Sequence, residues 1–290
     1  MPTVIDAAAV TTGRWPASRS ARRLAGAAGR AALRRCMQEP SEVDLLLNAG
    51  LYHDRNLGEP ALAPLIQEDI AVNPGDPSPG GRGTFSFDVA NGTAGVLTAL
   101  HIVDGFMRAR TISTALIVAS DADPGHGLAP EFPFRPSGGA LVCHWTDRPV
   151  GLGSFRWYNQ PADDPAFRTT VGIRGGRNVL VVEQSGDYAA KLAEAAGQVV
   201  TSLLESEDLE PDAVDAVLAA PDLPGMHTRL AALTGLPAER FVSVSGRTHT
   251  VGAISLIEQA GRAGLMRSPA TVLLVGAGAG VTAGAAVYRI

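Results

Sequence analysis

Cysteine, aromatic side chains and charge are all scarce in this chain, and each shortage removes a class of protein. Two cysteines, Cys36 and Cys143, fall in a helix-like and a strand-like stretch. Their spacing builds neither a disulfide scaffold nor a metal site, so both are expected to be reduced and structural. Aromatics make up 5% of the residues and nowhere interleave with a basic run, and the net charge is -5 with a pI near 5.7. Such a chain has no field with which to gather nucleic acid. No apolar run reaches the roughly 18 to 20 residues that a membrane span needs, and the start MPTVIDAAAV lacks a basic leader segment. A cytoplasmic protein without membrane or nucleic acid partners is expected. What the chain does have is 290 residues with 46% hydrophobic and 18% charged content. That is enough apolar mass for a sizeable core and too much for disorder.

Arg14 to Arg35 carries seven arginines and no acidic residue, the composition of an organellar transit peptide. An internal repeat places these arginines on a folded helix instead. Leu24 to Gly50 shares its periodicity with Glu194 to Ala220, with Pro40, Val43 and Asp44 recurring as Pro211, Val214 and Asp215. The repeat continues without a gap from Gly95 to Ser120 onto Gly252 to Ala277, so that Gly95 meets Gly252, Thr114 meets Thr271 and Thr93 meets Thr250. Strand and helix alternate in each half, which implies mainly parallel sheets covered by helices. The two halves are taken as residues 1–150 and 151–290, with Asp147 to Ala166 expected as a connecting loop because of its Pro and Asp content.

The most informative stretch is FDVANGTAG, Phe87 to Gly95. A β-type run ends in a turn of small residues, and an apolar-periodic helix from Val96 to Arg108 follows at once. Thr93 is therefore expected at a helix N-terminus, where unpaired N–H groups and the dipole favour a developing oxyanion and would lower the pKa of a thiol. A threonine hydroxyl gains little there, since it needs a strong adjacent base to react.

This turn resembles the active-site turn of the ketoacyl synthase III branch of the thiolase superfamily, in which the residue matching Thr93 is the acyl-accepting cysteine. The resemblance extends through Val43 to Ile70, Thr114 to Asp123 (TALIVASDAD), Pro136 to Trp145 (PSGGALVCHW), Gly235 to Val242 (GLPAERFV) and Val272 to Ile290 (VLLVGAGAGVTAGAAVYRI), in that family's order. It implies an α/β thiolase fold of two stacked halves in five layers, α-β-α-β-α. It makes Ala220 the match of the catalytic histidine, Leu223 the match of the asparagine in the same run, and Arg247 the match of the second functional asparagine. It makes Gly276 to Gly280 a tight turn whose Gly280 N–H is the second oxyanion donor; a phosphate loop is disfavoured because no lysine follows. The family also carries a longer segment before the helix at Arg19 to Met37, including a wall of the pantetheine tunnel that Trp15 would have to replace.

Substrate contacts are expected from Asn91, Arg247 and Gly280, and catalysis, if there is any, from Thr93 and His249. SGRTHTVG (Ser245 to Gly252) should face NGTAG across the pseudo-twofold, which brings His249 within reach of Thr93 as a general base; the other reading is a histidine bonded to backbone between the halves. Arg247 either fills the old site, bridging to an acid such as Asp88, or binds an anionic group of the acyl chain or pantetheine. His227 could swing into the place of the missing histidine, while His53, His101, His126 and His144 form no cluster for a metal. Phe85, Phe87, Leu97 and Phe106 line a tunnel or belong to the core.

Two functions follow. In the first the chain is a catalytically degenerate subunit that pairs, as a homodimer or a heterodimer, with a ketosynthase III-like chain. In the second it is an acyltransferase that moves an acyl group through Thr93 to a hydroxyl or amine acceptor. Ordinary condensation ranks last. Neither reading needs a cofactor: acyl-CoA or the pantetheine of an acyl carrier protein would be substrate, and the RRLAGAAGRAALRR surface could dock an acidic carrier protein.

Overall fold

The computed structural model describes residues 3–13, 20–56, 58–73, 83–125, 132–159 and 166–290. Trp15 and His126, both weighed from the sequence, lie outside the described residues. The first half runs β1 (Thr3–Thr12), α1 (Ala21–Arg35), β2 (Leu45–Asn48), α2 (Leu62–Asp69), β3 (Phe85–Asp88), α3 (Gly95–Arg108), β4 (Thr114–Asp121) and β5 (Ser137–Trp145). Its strands form one sheet in the order β1-β5-β4-β2-β3. The second half runs β6 (Gly151–Asn159), β7 (Phe167–Arg174), β8 (Arg177–Gln184), α4 (Tyr188–Ser206), β9 (Ala216–Ala220), α5 (Met226–Thr234), α6 (Gly252–Arg262), β10 (Thr271–Gly278) and β11 (Thr282–Arg289). Its main sheet has the order β6-β11-β10-β9, and Phe241 bridges Val217 in parallel where β3 pairs with β2 in the other half.

Alternate strand residues serve different layers, which is why the strands are apolar almost throughout. Leu45, Leu47 and Ile117 face α3 and α6 together with Leu218 and Leu274 of the second sheet. Leu46, Leu116 and Val118 face α1 and α2, and Val217, Leu273 and Val275 face α4 and α5. The result is the thiolase arrangement of helices, sheet, helices, sheet, helices. Ser20 opens α1 by accepting the Arg23 N–H at 3.2 Å, and Arg34 and Arg35 sit in its last turn, where the dipole favours cations. Arg22, Arg23, Arg30, Arg34 and Arg35 thus lie on a helix with its small residues turned inward, while Arg14 and Arg19 lie outside the described residues.

Two expectations are corrected. The sheets are mixed rather than mainly parallel: among the described strands β2 with β3, β2 with β4 and β9 with β10 run parallel, and the other strand pairs are antiparallel. β10 reaches β11 through a turn too short for a helical crossover, so that pair must be antiparallel. The stretch Asp147 to Ala166 is also not simply a loop, because β6 occupies its centre and pairs with β11. Its Pro and Asp residues lie on the flanks, whereas Phe155 and Trp157 alternate as an outer strand requires. The hairpin β7-β8, closed by Gly175 and Gly176 at φ 57° and 73°, was not anticipated.

Gly138 on β5 is where α1 comes closest to the sheet. A Cβ there would collide with the Leu24 backbone carbonyl. Gly138→Ala is therefore expected to push α1 outward and cost about 3 kcal/mol, read as a lower urea midpoint at unchanged m.

Candidate functional site

The chain leaves β3 and forms a short 3-10 turn at Gly92–Ala94 before α3 begins, with Gly92 at φ 50°. Thr93 is 2% exposed. Its hydroxyl donates to the Ala277 carbonyl on β10, in the opposite half. The repeat has the same bond in reverse: the Thr250 hydroxyl lies 3.1 Å from the Ser120 carbonyl on β4, and shares its proton with Asp121 Oδ1 at 2.8 Å. The two turns do face one another across the pseudo-twofold.

The two turns differ in what occupies their N–H groups. Asp121 ends β4 and caps the turn before α6, with Oδ2 accepting from the His249 N–H at 2.7 Å and the Val251 N–H at 3.4 Å, and Oδ1 from the Thr250 N–H at 2.9 Å. Burial pushes its pKa up while these hydrogen bonds pull it down. In the register of the repeat, Gly278 stands where Asp121 stands. A Cβ at Gly278 would lie 2.9 Å from Thr93 Oγ1, 3.6 Å from Thr93 N and 3.7 Å from Ala94 N. The turn at α6 is thus capped by the chain's own carboxylate, whereas at α3 the Thr93 hydroxyl approaches so closely that the corresponding residue has no room for a Cβ.

His249 is 4% exposed and lies on the Gly92 side of this turn; its Nε2 is 3.7 Å from where a Gly92 Cβ would be. The expected pairing with Thr93 is not formed. Thr93 bonds Ala277, and His249 Nδ1 is 2.8 Å from the Tyr52 hydroxyl. The imidazole stacks on Phe134 at 4.7 Å and Phe167 at 5.3 Å, and burial lowers its pKa to about 4. A base that weak does not draw a proton from a threonine hydroxyl at neutral pH.

The remaining positions separate. Arg247 is exposed and does not fill the site, and the acid expected to pair with it, Asp88, instead accepts the Leu62 and Ala63 N–H groups at the start of α2. Gly280, expected as an oxyanion donor, is exposed in the β10-β11 turn at φ 75°; Gly278 is the glycine against Thr93. Asn91 donates to Thr98 Oγ1 on α3 at 2.9 Å. Ala220 is fully buried at the end of β9, and Leu223 is half-buried. His227 does not move into the space beside Ala220, because its Nε2 is 3.0 Å from the Ala219 carbonyl and its Nδ1 is 3.6 Å from Asp222. His101 accepts from the Trp157 indole at 3.0 Å. Leu97 is core, with Phe87 and Phe106 packed on that core, while Phe85 is 60% exposed. Sequence reasoning missed Tyr52, Phe134, Phe167 and Asp121. Only Asp121 had a signal, as the residue that the repeat pairs with Gly278.

Leu51, Tyr52, His53, Pro124, Val171 and Leu180 line a largely apolar cleft of about 320 Å³ between the site and β7-β8. Tyr52 is common to the cleft and the His249 cluster. Among the described residues no group of three or more His, Cys, Asp and Glu side chains could hold a metal ion, and no helix is long and apolar enough to cross a membrane.

Residues 204–290 match the family model described as 3-oxoacyl-[acyl-carrier-protein (ACP)] synthase III C terminal. The β-ketoacyl-[acyl-carrier-protein] synthase III of Aquifex aeolicus is 22% identical over 274 residues, covering 92% of this chain and 83% of the relative. That of Synechococcus sp. (strain WH7803) is 25% identical over 288 residues, covering 92% and 80%. Among solved structures, the Aquifex aeolicus synthase III superposes with a TM-score of 0.81 at 19% identity, covering 99% of this chain and 100% of that one. The priming β-ketosynthase of the R1128 polyketide biosynthetic pathway gives 0.77 at 17% identity, with 100% and 96% covered. Xanthomonas campestris OleA, solved with bound lauric acid and lauroyl-CoA, gives 0.77 at 13% identity, with 100% and 99% covered. At these identities the superpositions establish the fold.

The neutral His249 has a measurable consequence. An unfolded chain takes up the histidine proton near pH 6.5, whereas the folded protein resists it until about pH 4. Stability from this group is complete above about pH 6.5 and falls as the pH drops toward 4, by about 3 kcal/mol in all. Asp121 shifts in the opposite sense, so the comparison should be with His249→Gln. Urea unfolding followed against pH is expected to show a shallower acid limb in the variant.

Proposed function

We propose that this chain, which is ketoacyl-ACP synthase III-like and has the thiolase fold, binds acyl thioesters without condensing them and works as a supporting subunit beside an active ketosynthase III-like chain. One observation carries this reading: the side chain at the nucleophile position is a threonine whose hydroxyl is bonded to the Ala277 carbonyl. Condensation needs an ionisable nucleophile and proton-handling partners. Ala220 and the exposed Arg247 stand where the family resemblance puts those partners, and His249 is a weak base bonded to Tyr52.

The ligand would be the acyl group of acyl-CoA or of an acyl carrier protein, reaching Tyr52 by way of the apolar cleft. A relative of the same fold binds lauroyl-CoA, which makes that compound a suitable probe. Carrier-protein docking would use exposed α1 arginines such as Arg23 and Arg34, which an acidic partner complements. The pairing surface would be β3, the outer strand of the five-stranded sheet, where the exposed Phe85 ring lies 5.2 Å from that of Phe87. An apolar outer strand with free N–H and C=O groups is a template for pairing with another chain. Co-expression with a ketosynthase III-like chain is expected to give a complex by sedimentation, and Phe85→Lys to dissociate it.

A second reading, acyl transfer through Thr93, is favoured by the place of that hydroxyl in the turn that opens α3, where the helix dipole favours a developing oxyanion. Intact-protein mass after incubation with lauroyl-CoA separates the two. The native chain is expected to stay unmodified at neutral pH, and Thr93→Cys to gain one lauroyl group. An adduct on the native chain that vanishes in Thr93→Ala would replace the subunit reading with the transferase one. An unmodified Thr93→Cys would remove the acyl site altogether.

A further inference from the structure

We infer that Tyr52 holds His249 as the Nε2–H tautomer, so that the imidazole serves the Thr93 turn as a neutral hydrogen-bond donor to the carboxyl or carbonyl oxygen of a bound acyl group. The inference rests on the reading of that turn as an acyl site, and adds to it a positioning residue, Tyr52, and a role for His249 other than proton acceptor.

The hydrogen-bond inventory decides the tautomer. Tyr52 is buried, and His249 Nδ1 at 2.8 Å is the hydrogen-bond partner of its hydroxyl among the described residues. If Nδ1 carried the proton and donated to the phenol oxygen, the phenol's own proton would be buried without an acceptor. If the phenol donates to a bare Nδ1, both groups are satisfied and the imidazole proton is on Nε2. A phenolate is no alternative, since burial and the nearby Asp121 charge push the Tyr52 pKa well above its ordinary value. Burial likewise keeps the imidazole from taking a second proton at neutral pH.

Ring packing fixes where that proton points. Phe134 and Phe167 stack on the imidazole at interplanar angles of 17° and 22°, and Tyr52 is itself held edge-on by Phe132 at 5.0 Å. With Nδ1 held by Tyr52, Nε2 and Cε1 are the atoms nearest the Cβ position of Gly92, at 3.7 and 3.8 Å. Glycine leaves that space open, one residue before the Thr93 N–H. The imidazole donor thus faces the glycine that begins the Thr93 turn, and its hydrogen-bond partner Tyr52 also lines the apolar cleft.

The test uses the full chain labelled with 15N at its histidine rings, with the His249 signals assigned by their loss in His249→Gln. The expected result is a pyridine-type Nδ1, a pyrrole-type Nε2, and a shift at Nε2 when laurate is added. In Tyr52→Phe the tautomers should mix and the laurate dissociation constant rise about tenfold. His249→Gln, which keeps an N–H donor but cannot act as a base, should bind laurate within about threefold of the native chain, and His249→Leu about tenfold more weakly. A pyrrole-type Nδ1, or an Nε2 signal that ignores laurate, would overturn the inference. Acylation of Thr93 in the native chain would displace the subunit reading, while the His249 tautomer is read separately on the unacylated chain, so the two failures are distinguishable.

Discussion

Two threonine hydroxyls tie the halves of this molecule together. Thr93 donates from the first half to the Ala277 carbonyl, and Thr250 reaches the Ser120 carbonyl from the second. Each bond takes a turn that opens a central helix and anchors it to the end of the other half's strand, where both partners are cut off from water. Such a bond contributes on the order of 1 kcal/mol when made, while a buried carbonyl left without a donor costs about 1 to 3 kcal/mol. The threonine at the nucleophile position is therefore half of a symmetric pair of struts. Its likeness to Thr250, which no resemblance assigns to catalysis, is the strongest reason to regard its hydroxyl as structural.

The pseudo-twofold also provides an internal comparison for what surrounds the struts. At α6 the chain supplies its own anion, Asp121, and the N–H groups of His249, Thr250 and Val251 converge on it. At α3 the matching residue is Gly278, and opposite the glycine-lined turn stands His249, whose own counterpart is Gly92. One of the two equivalent turns thus carries a carboxylate and an imidazole, and the other carries glycine at both places.

The repeat made most of this fold legible from residues alone. The matches of Gly95 with Gly252 and of Thr114 with Thr271 correctly placed α3 on α6 and β4 on β10, because a buried helix and a strand buried on both faces leave strong periodic signals. β6 was obscured by the Pro and Asp residues at its flanks, and the β7-β8 hairpin has no partner in the repeat to announce it. In the site, Thr93 could be located because a small-residue turn followed by a helix has one local meaning. The Tyr52–His249 contact spans 197 positions in sequence, and the rings of Phe134 and Phe167 come from separate loops and strands, so no spacing rule connects them. Arg247 does not fill the site for a related reason: a resemblance gives a position on a turn, but whether a side chain there points inward or outward is settled by packing.

Magnitudes then limit what the assembled site can do. A well-placed donor to a developing oxyanion is worth on the order of 10² to 10³ in rate, whereas enzymatic acceleration begins at about 10⁶. The difference has to come from a nucleophile that can ionise and from a group that moves its proton. A threonine whose hydroxyl is held by a backbone carbonyl supplies neither, and an imidazole whose pKa is lowered to about 4 is nearly indifferent to a proton at neutral pH. What such an imidazole retains is its N–H, and a fixed N–H donor in a dry, aromatic-lined space recognises a carbonyl oxygen without needing to react with it. The same burial that disqualifies His249 as a base is what suits it to holding a ligand.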